Sequence, residues 1–335
     1  MTFAADNVTK SATRYETLHT RNIKLGIFVA LEPAALICNG ILVYYLFADR
    51  VLRKILYNHA ILLLLIVTLL TNLIELPRIM DYLRVGLVLP QTYLNCSFWQ
   101  WCDYLFYGAT NVLLLWISIQ RYFFIFYSHL YNTGRRRLLF HYLPSVFIVI
   151  YLIAFYTAAI FIYQCEEHFD FSQPLCGIPC YTNYTNISFY DLIAHSFIPL
   201  FVGIFLDVNL IIRVIYRRQR RVQQQGAQWR RYRKMILQLV LIFSVYSLFQ
   251  APYFLTIFLQ LFIKLPDAIA YIQIVCFYYF FWFLTQLLPI VCFGCMPEVT
   301  HKFKNSLMQH LSLSFVFKLE LWNDVWLKQD FSYSQ

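Results

Sequence analysis

Charge is scarce in this chain. Asp, Glu, Lys and Arg make up 13% of its 335 residues, against about 25% in soluble domains, and so little polar surface excludes an ordinary soluble enzyme. Glycine numbers 9 and proline 11, and no half of the chain repeats another, which argues against a transporter built from repeated, broken helices. GxSxG, HExxH and paired intramembrane aspartate motifs are all missing, which leaves an enzyme as the least supported class. No run alternates apolar and polar residues over about ten positions, as the strands of a membrane barrel would. The first 24 residues are polar and mixed in charge, without an apolar core or cleavage site. They are expected to form an N-terminal tail rather than a signal peptide.

What the chain has instead is apolar length. Hydrophobic residues make up 60% of it and aromatic ones 19%. A helix rising about 1.5 Å per residue needs roughly 20 residues to cross a hydrocarbon core. Seven runs are that long, near 25–48, 57–80, 97–125, 141–163, 190–215, 235–263 and 268–295. The runs 141–163 and 235–263 hold no Asp, Glu, Lys or Arg. Backbone groups in lipid must be satisfied within the segment, so each run is expected to be a helix. The expected fold is all-α, a seven-transmembrane helix bundle. Its parts are a tail at 1–24, a membrane domain at 25–295 and a cytoplasmic segment at 296–335. That last segment opens with MPEVTHKFKNSLMQHL, amphipathic and basic, which reads as a short helix on the membrane surface.

Two independent signals set the orientation. Loops after spans 1, 3 and 5 carry Arg50, Arg53 and Lys54, then Arg135, Arg136 and Arg137, then nine Lys or Arg between Arg213 and Lys234. The opposite loops hold Arg78, Arg84 and Lys264 beside Glu166, Glu167, Asp170 and Asp267. Cationic loops stay cytoplasmic, which puts the N-terminus outside. Glycosylation sequons at Asn7, Asn95, Asn183 and Asn186 all fall on that same side. The chain is therefore expected to be a multi-pass plasma-membrane protein with an extracellular N-terminus, glycosylated at Asn7, Asn183 and Asn186. Its net charge of +10 gathers in the cytoplasmic loops, where it holds topology and attracts anionic membrane lipid. Nothing calls for nucleic acid as a partner.

Nine cysteines divide by depth. Cys38, Cys102, Cys276, Cys292 and Cys295 fall in spans or at the membrane boundary, where a thiol packs as a small apolar group. Cys96, Cys165, Cys176 and Cys180 fall outside, in the oxidising compartment, and four cysteines permit three pairings. A bond from Cys96 to Cys180 or Cys176 would pin the long outer loop over the mouth of the bundle. The other two would then close a loop within QCEEHFDFSQPLCGIPCY. Spacing and compartment favour disulfides over zinc, so neither a metal nor a cofactor is expected.

The end of span 3 reads SIQRYFFIF, Ser118–Phe126. This string resembles the cytoplasmic end of helix 3 in rhodopsin-like (class A) G-protein-coupled receptors, where an acid, Arg and Tyr follow one another. Here the three are Gln120, Arg121 and Tyr122, and Cys96, 25 residues before Arg121, stands where the family places its helix-3 disulfide cysteine. Asn39, the pair Asn58 and Pro77, Pro199, Pro252 and Pro289 agree with family landmarks in spans 1, 2, 5, 6 and 7. The resemblance covers residues 25–312. The departures mark a divergent, orphan-type member. The helix-2 acid falls on Thr68 and the helix-7 Asn and Tyr on Leu288 and Cys292, which removes the polar set that holds sodium in typical members. The helix-6 Trp position is Gln250, span 4 has no Trp, and neither span 6 nor span 7 has a Lys for a retinal Schiff base.

Charged residues inside spans cost about 2.5–3.5 kcal/mol on insertion scales, so each is a functional candidate. Asp103 lies 18 residues before Arg121, five turns up span 3, and the resemblance makes it the counter-ion for a protonated amine. Gln250 and Trp282 stand where the family keeps residues near the amine. Asp191 and His195, four apart, share one face near the outer end of span 5 and with Asp103 would form an acidic pocket for a cationic ligand. Asp207 needs a partner, and Arg121 is the expected one because Gln120 cannot neutralise it. Glu75 and Arg78, three apart, read as an interfacial salt bridge, and Glu32 as a cavity-facing acid.

The resemblance implies a receptor that binds an extracellular, small cationic ligand and activates a heterotrimeric G protein by rearrangement of helices 5 and 6. Gln120, Arg121, Tyr122, Asp207, Pro252 and Pro289 would form the switch. The competing class is a seven-span chemosensory channel or transporter not coupled to G proteins. The channel has its N-terminus inside, which the sequons oppose.

Overall fold

The computed structural model describes residues 17–127, 131, 133–166, 168–220, 226–260, 263, 266–306 and 308. The Asn7 sequon, Lys264, Glu167, side chains from 214 to 239 and the chain beyond 308 lie outside the described structure. Among the described residues every regular element is helical, and seven helices are long and apolar enough to cross a membrane. They are α1 Leu18–Ala48, α2 Leu56–Val85, α3 Tyr93–Phe126, α4 Gly134–Ile162, α5 Thr185–Arg213, α6 Val240–Gln260 and α7 Asp267–Cys295. The chain divides into Met1–Cys292, which holds the bundle, and Phe293–Gln335. In the second unit a short helix, α8, runs over 297–306, and the Thr300 hydroxyl donates to Phe293 O at 2.9 Å.

The helices outrun the apolar segments where capping groups allow it. α1 starts at Leu18 because the Thr17 hydroxyl accepts from the Thr20 amide at 3.3 Å. α2 ends at Gly86, whose φ of +85° suits glycine and lets its amide reach Tyr82 O at 2.7 Å. Arg21 of α1 covers the same end, donating from Nη2 to Leu83 O at 2.8 Å. A side chain at Gly86 would strike that guanidinium.

α3 runs through the centre and packs against α2, α4, α5 and α6. In α4 only 22% of the most apolar window is buried, against 50% in α3. Phe147 and Ile150 of α4 are exposed, a face that fits lipid rather than water.

Prolines shape three of the helices in one way. Wide, i to i+5 turns span Thr71–Glu75 in α2, Leu138–Tyr142 in α4 and Ile193–Phe197 in α5. Each ends two residues before a proline: Pro77, Pro144 and Pro199. A proline ring cannot donate a backbone bond and collides with the carbonyl four residues back. The turn ahead of it opens, and the residue before the proline bonds one place further back: Leu76 to Thr71, Leu143 to Leu138, Ile198 to Ile193. Around Pro33, Pro252 and Pro289 the helices stay α. A fourth wide turn, Ala158–Ile162, has no proline after it, and nothing in the sequence explains it.

α3 and α4 meet tightly at Gly108, where a Cβ would lie 2.5 Å from the Tyr156 hydroxyl. Gly108→Ala is expected to destabilise the fold by about 1–3 kcal/mol through overpacking, read as a lower melting temperature in detergent or nanodiscs. Gly26→Ala, with nothing within 4 Å of its Cβ, should not lower it. Equal melts for the two variants would mean that the α3–α4 contact is looser than described.

Candidate functional site

One end of the bundle is roofed by the segment between α4 and α5. Disulfides join Cys96 to Cys176 and Cys165 to Cys180, with Cα atoms 5.7 and 6.0 Å apart. Of the two expected partners of Cys96, the structure takes Cys176 and not Cys180. The reason lies in the path of the loop. Gln100, one turn along α3 from Cys96, donates to Leu175 O at 3.0 Å and Gly177 O at 3.3 Å, drawing the chain at 176 onto the helix. Leu175 and Cys176 have φ of 59° and 56°, a left-handed path that these bonds and the disulfide hold in place. Tyr82 adds a bond to Ser172 O at 3.0 Å. In the same loop, partial burial works to raise the Asp170 carboxyl, but bonds from Ser172 and Gln173 outweigh it and hold the group below its ordinary value.

Beneath the roof, Asp191 and His195 do share a face. The imidazole Nδ1 lies 2.7 Å from Asp191 Oδ1. Tyr156 of α4 donates to Oδ1 at 2.9 Å and Tyr181 of the roof to Oδ2 at 2.9 Å. His195 Nε2 lies 2.8 Å from the Tyr151 hydroxyl, so a proton on Nδ1 leaves Nε2 to accept from that tyrosine. The wide turn at Ile193–Phe197 frees backbone as well, and Asn111 of α3 donates to His195 O at 2.9 Å. Both oxygens of the carboxylate are bonded inside the protein. The single acidic pocket expected from Asp103, Asp191 and His195 is therefore corrected: this pair clasps α4, α5 and the roof together.

Asp103 belongs to a different group, between α1, α2, α3 and α7. It is 9% exposed and lies near Glu75, which is wholly buried, so that each charge bears on the other. Both Glu75 oxygens and Asp103 Oδ1 have no hydrogen-bond partner. The indole N–H of Trp99 faces Glu75 and that of Trp282 faces Asp103, neither closing a bond. Within a turn of these, Asn72 donates to Thr285 O at 3.3 Å, and Gln286 donates to Glu32 at 3.0 Å. The expected Glu75–Arg78 salt bridge does not form. The wide turn at Thr71–Glu75 carries Glu75 into the bundle, while Arg78, beyond Pro77, lies 5.1 Å from the Phe98 ring. Gln250 is buried on α6, and none of the described contacts joins it to Asp103.

At the other end of α3, Arg121 is buried, its guanidinium 5.2 Å from the Tyr57 ring. Gln120 is buried with both amide atoms unpartnered. The Tyr122 ring lies 5.4 Å from the Arg213 guanidinium. Asp207 is buried near Ser118 and feels the charge of Arg121. Neither of its oxygens has a hydrogen-bond partner, so the bridge expected from Asp207 to Arg121 is not closed. Pro252 and Pro289 lie inside α6 and α7.

A family model for the 7 transmembrane receptor (rhodopsin family) matches residues 38–292, nearly all of the bundle. The chain belongs to that family. A comparison with curated proteins found no match. In this receptor Thr68, at the family's helix-2 acid position, is wholly buried and bonds Asn39 at 3.1 Å. Leu288 and Cys292 are buried on α7.

Sequence reasoning missed Tyr156, Tyr181, Asn111 and Tyr246. Tyr156 and Tyr181 carry no local signal, since aromatic residues crowd every span. The Asn111–Tyr246 hydrogen bond between α3 and α6 gave none either. Glu75 was named but paired with Arg78. Pro77, two residues on, was a partial signal, since three of the six prolines inside the spans follow an opened turn and three do not.

The clasp predicts a graded loss of stability. Asp191→Ala strands two tyrosines and a histidine and is expected to cost about 3 kcal/mol or more, Tyr181→Phe about 1 kcal/mol. Thermal melts of the purified receptor check this. An Asp191→Ala variant as stable as wild type would return Asp191 to the ligand.

Proposed function

We propose that the receptor sits in the plasma membrane with its N-terminus and disulfide-bonded roof outside, binds a small cationic ligand through Asp103, and activates a heterotrimeric G protein. Disulfides belong to the oxidising side, and Asn183 and Asn186 are exposed on the segment carrying them. Asn95 is a poorer acceptor, because its amide nitrogen donates to Pro90 O at 3.0 Å.

The observation that carries the ligand reading is the open valence of Asp103. Of the two aspartates near the roof, Asp191 is spent on tyrosines and histidine, and Asp103 keeps an unpartnered oxygen. An ammonium group offers the missing donor and charge together. Asp103 shares α3 with Arg121, so a ligand pulling on one end acts on a helix that ends in the switch. The ligand shifts the balance between two states only by binding one of them better. In the favoured state α6 swings about Pro252 and admits the G protein beside Arg121. Asp207 acts as the removable restraint, its charge bearing on Arg121 without a closed bond.

G-protein dissociation in cells challenged with small amines, peptides and neutral odorants tests this reading. A response to amines, abolished by Arg121→Ala and by Asp103→Asn at matched surface levels, is the expected result. Loss in Arg121→Ala alone would keep the receptor and discard the cationic ligand. Asp207→Asn is expected to raise ligand-free signalling, and a wild-type baseline at equal surface expression would remove Asp207 from the switch.

A further inference from the structure

Glu75 is a charge the signalling scheme above does not use. It is wholly buried, near a second buried acid, Asp103, and closes no salt bridge with its sequence neighbour Arg78, whose charge reaches it without a bond. Two adjacent carboxylates out of water repel one another and each loses hydration, an arrangement that persists only with compensation.

The surroundings say what kind of compensation. Glu32 Oε1, Asn72 Oδ1, both oxygens of Glu75, Asp103 Oδ1 and Gln286 Oε1 are all buried without a partner. Gln286 bonds Glu32, Asn72 bonds the backbone of Thr285 next to Gln286, and the charge of Asp103 acts on Glu75, one turn from Asn72. The unpartnered buried donors beside the acids are the indole N–H groups of Trp99 and Trp282 and one guanidinium nitrogen of Arg78, too few for six oxygens. Two of these acceptors, on Asn72 and Gln286, are neutral carboxamides with no exposure at all, so the excess is not a matter of acids alone. Among the described residues, no three Cys, His, Asp or Glu side chains are placed to hold a metal ion. An organic group rich in N–H donors would answer this surplus of acceptors. A cavity of about 220 Å³ lies alongside, lined in part by Pro77, Arg78, Tyr82 and Trp99, and shares Trp99 with the group.

We propose that Glu75 and Asp103 form a two-carboxylate seat for the charged end of the ligand, and that this end is a guanidinium or primary ammonium rather than a quaternary ammonium. The inference rests on the reading that places the ligand at Asp103, and extends it. A guanidinium presents a planar fork of donors to two acceptors at once, and a primary ammonium offers three. A quaternary ammonium has none. It would be held by aromatic faces, of which there are several here, and would leave the carboxylate oxygens bare.

The test uses the purified full-length receptor in nanodiscs, without G protein, with agmatine as a probe carrying both a guanidinium and a primary ammonium, and choline as the quaternary control. Agmatine is expected to raise the melting temperature of wild type and choline to leave it unchanged. In Glu75→Gln and in Asp103→Asn, both near-isosteric, the agmatine concentration for half the stabilisation should rise roughly 30-fold or more. Glu75→Asp should recover part of it. Three results overturn the seat: an unaltered agmatine response in Glu75→Gln, equal stabilisation by choline, or no stabilisation of wild type, which would mean that protons alone neutralise the pair. A receptor that binds agmatine through both acids but releases no G protein would instead sink the functional reading and leave the seat standing.

Discussion

A hydrocarbon layer supplies no hydrogen bonds, so every polar group inside the bundle must be answered by the protein or by something that enters it. The two acidic groups near the roof meet this demand in opposite ways. Around Asp191 the protein answers from within, through Tyr156, Tyr181 and His195. Around Glu75 and Asp103 it does not, and a row of acceptors is left facing one another. The first arrangement makes a rigid wall of α4, α5 and the roof. The second leaves acceptors unanswered at the junction of α2, α3 and α7, where the ligand is proposed to bind.

The same contrast runs along α3. Near the roof its acid is open and near the opposite end its arginine is buried beside an unsatisfied Asp207. The acid and the arginine lie five helical turns apart on one helix, 18 residues from Asp103 to Arg121. The bond between Asn111 and Tyr246 ties its midpoint to α6, the helix proposed to swing about Pro252.

The bundle was legible in the sequence because lipid imposes length and apolarity on every span, and those are read by counting. The ends of α1 and α2 were less so, since polar residues such as Thr17 and Arg21 continue a helix beyond the apolar run. The pairing of Cys96 stayed open because Cys176 and Cys180 are four residues apart; what decides it is a pair of bonds from Gln100 to the loop backbone. For Asp191 and His195 the shared face followed from spacing, but their partners come from α4 and the roof, which no local pattern announces. Glu75 was misassigned to Arg78 because the spacing rule assumes an unbroken α-helix, and Pro77 breaks it.

An opened turn contains one residue more than the α-turn it replaces. In α2 and α5 the helix is therefore phased differently on the two sides of the segments that carry Glu75 and His195. Counting inward from the proline and outward from the other end of the helix yields two rulers that disagree by one place. In a relative whose turn is tight, the chemical equivalent of either residue stands at the neighbouring position of its chain, not the matching one. Deleting a single residue there would act less as a shortening than as a rotation, by about 100°, of everything on one side of the turn against everything on the other.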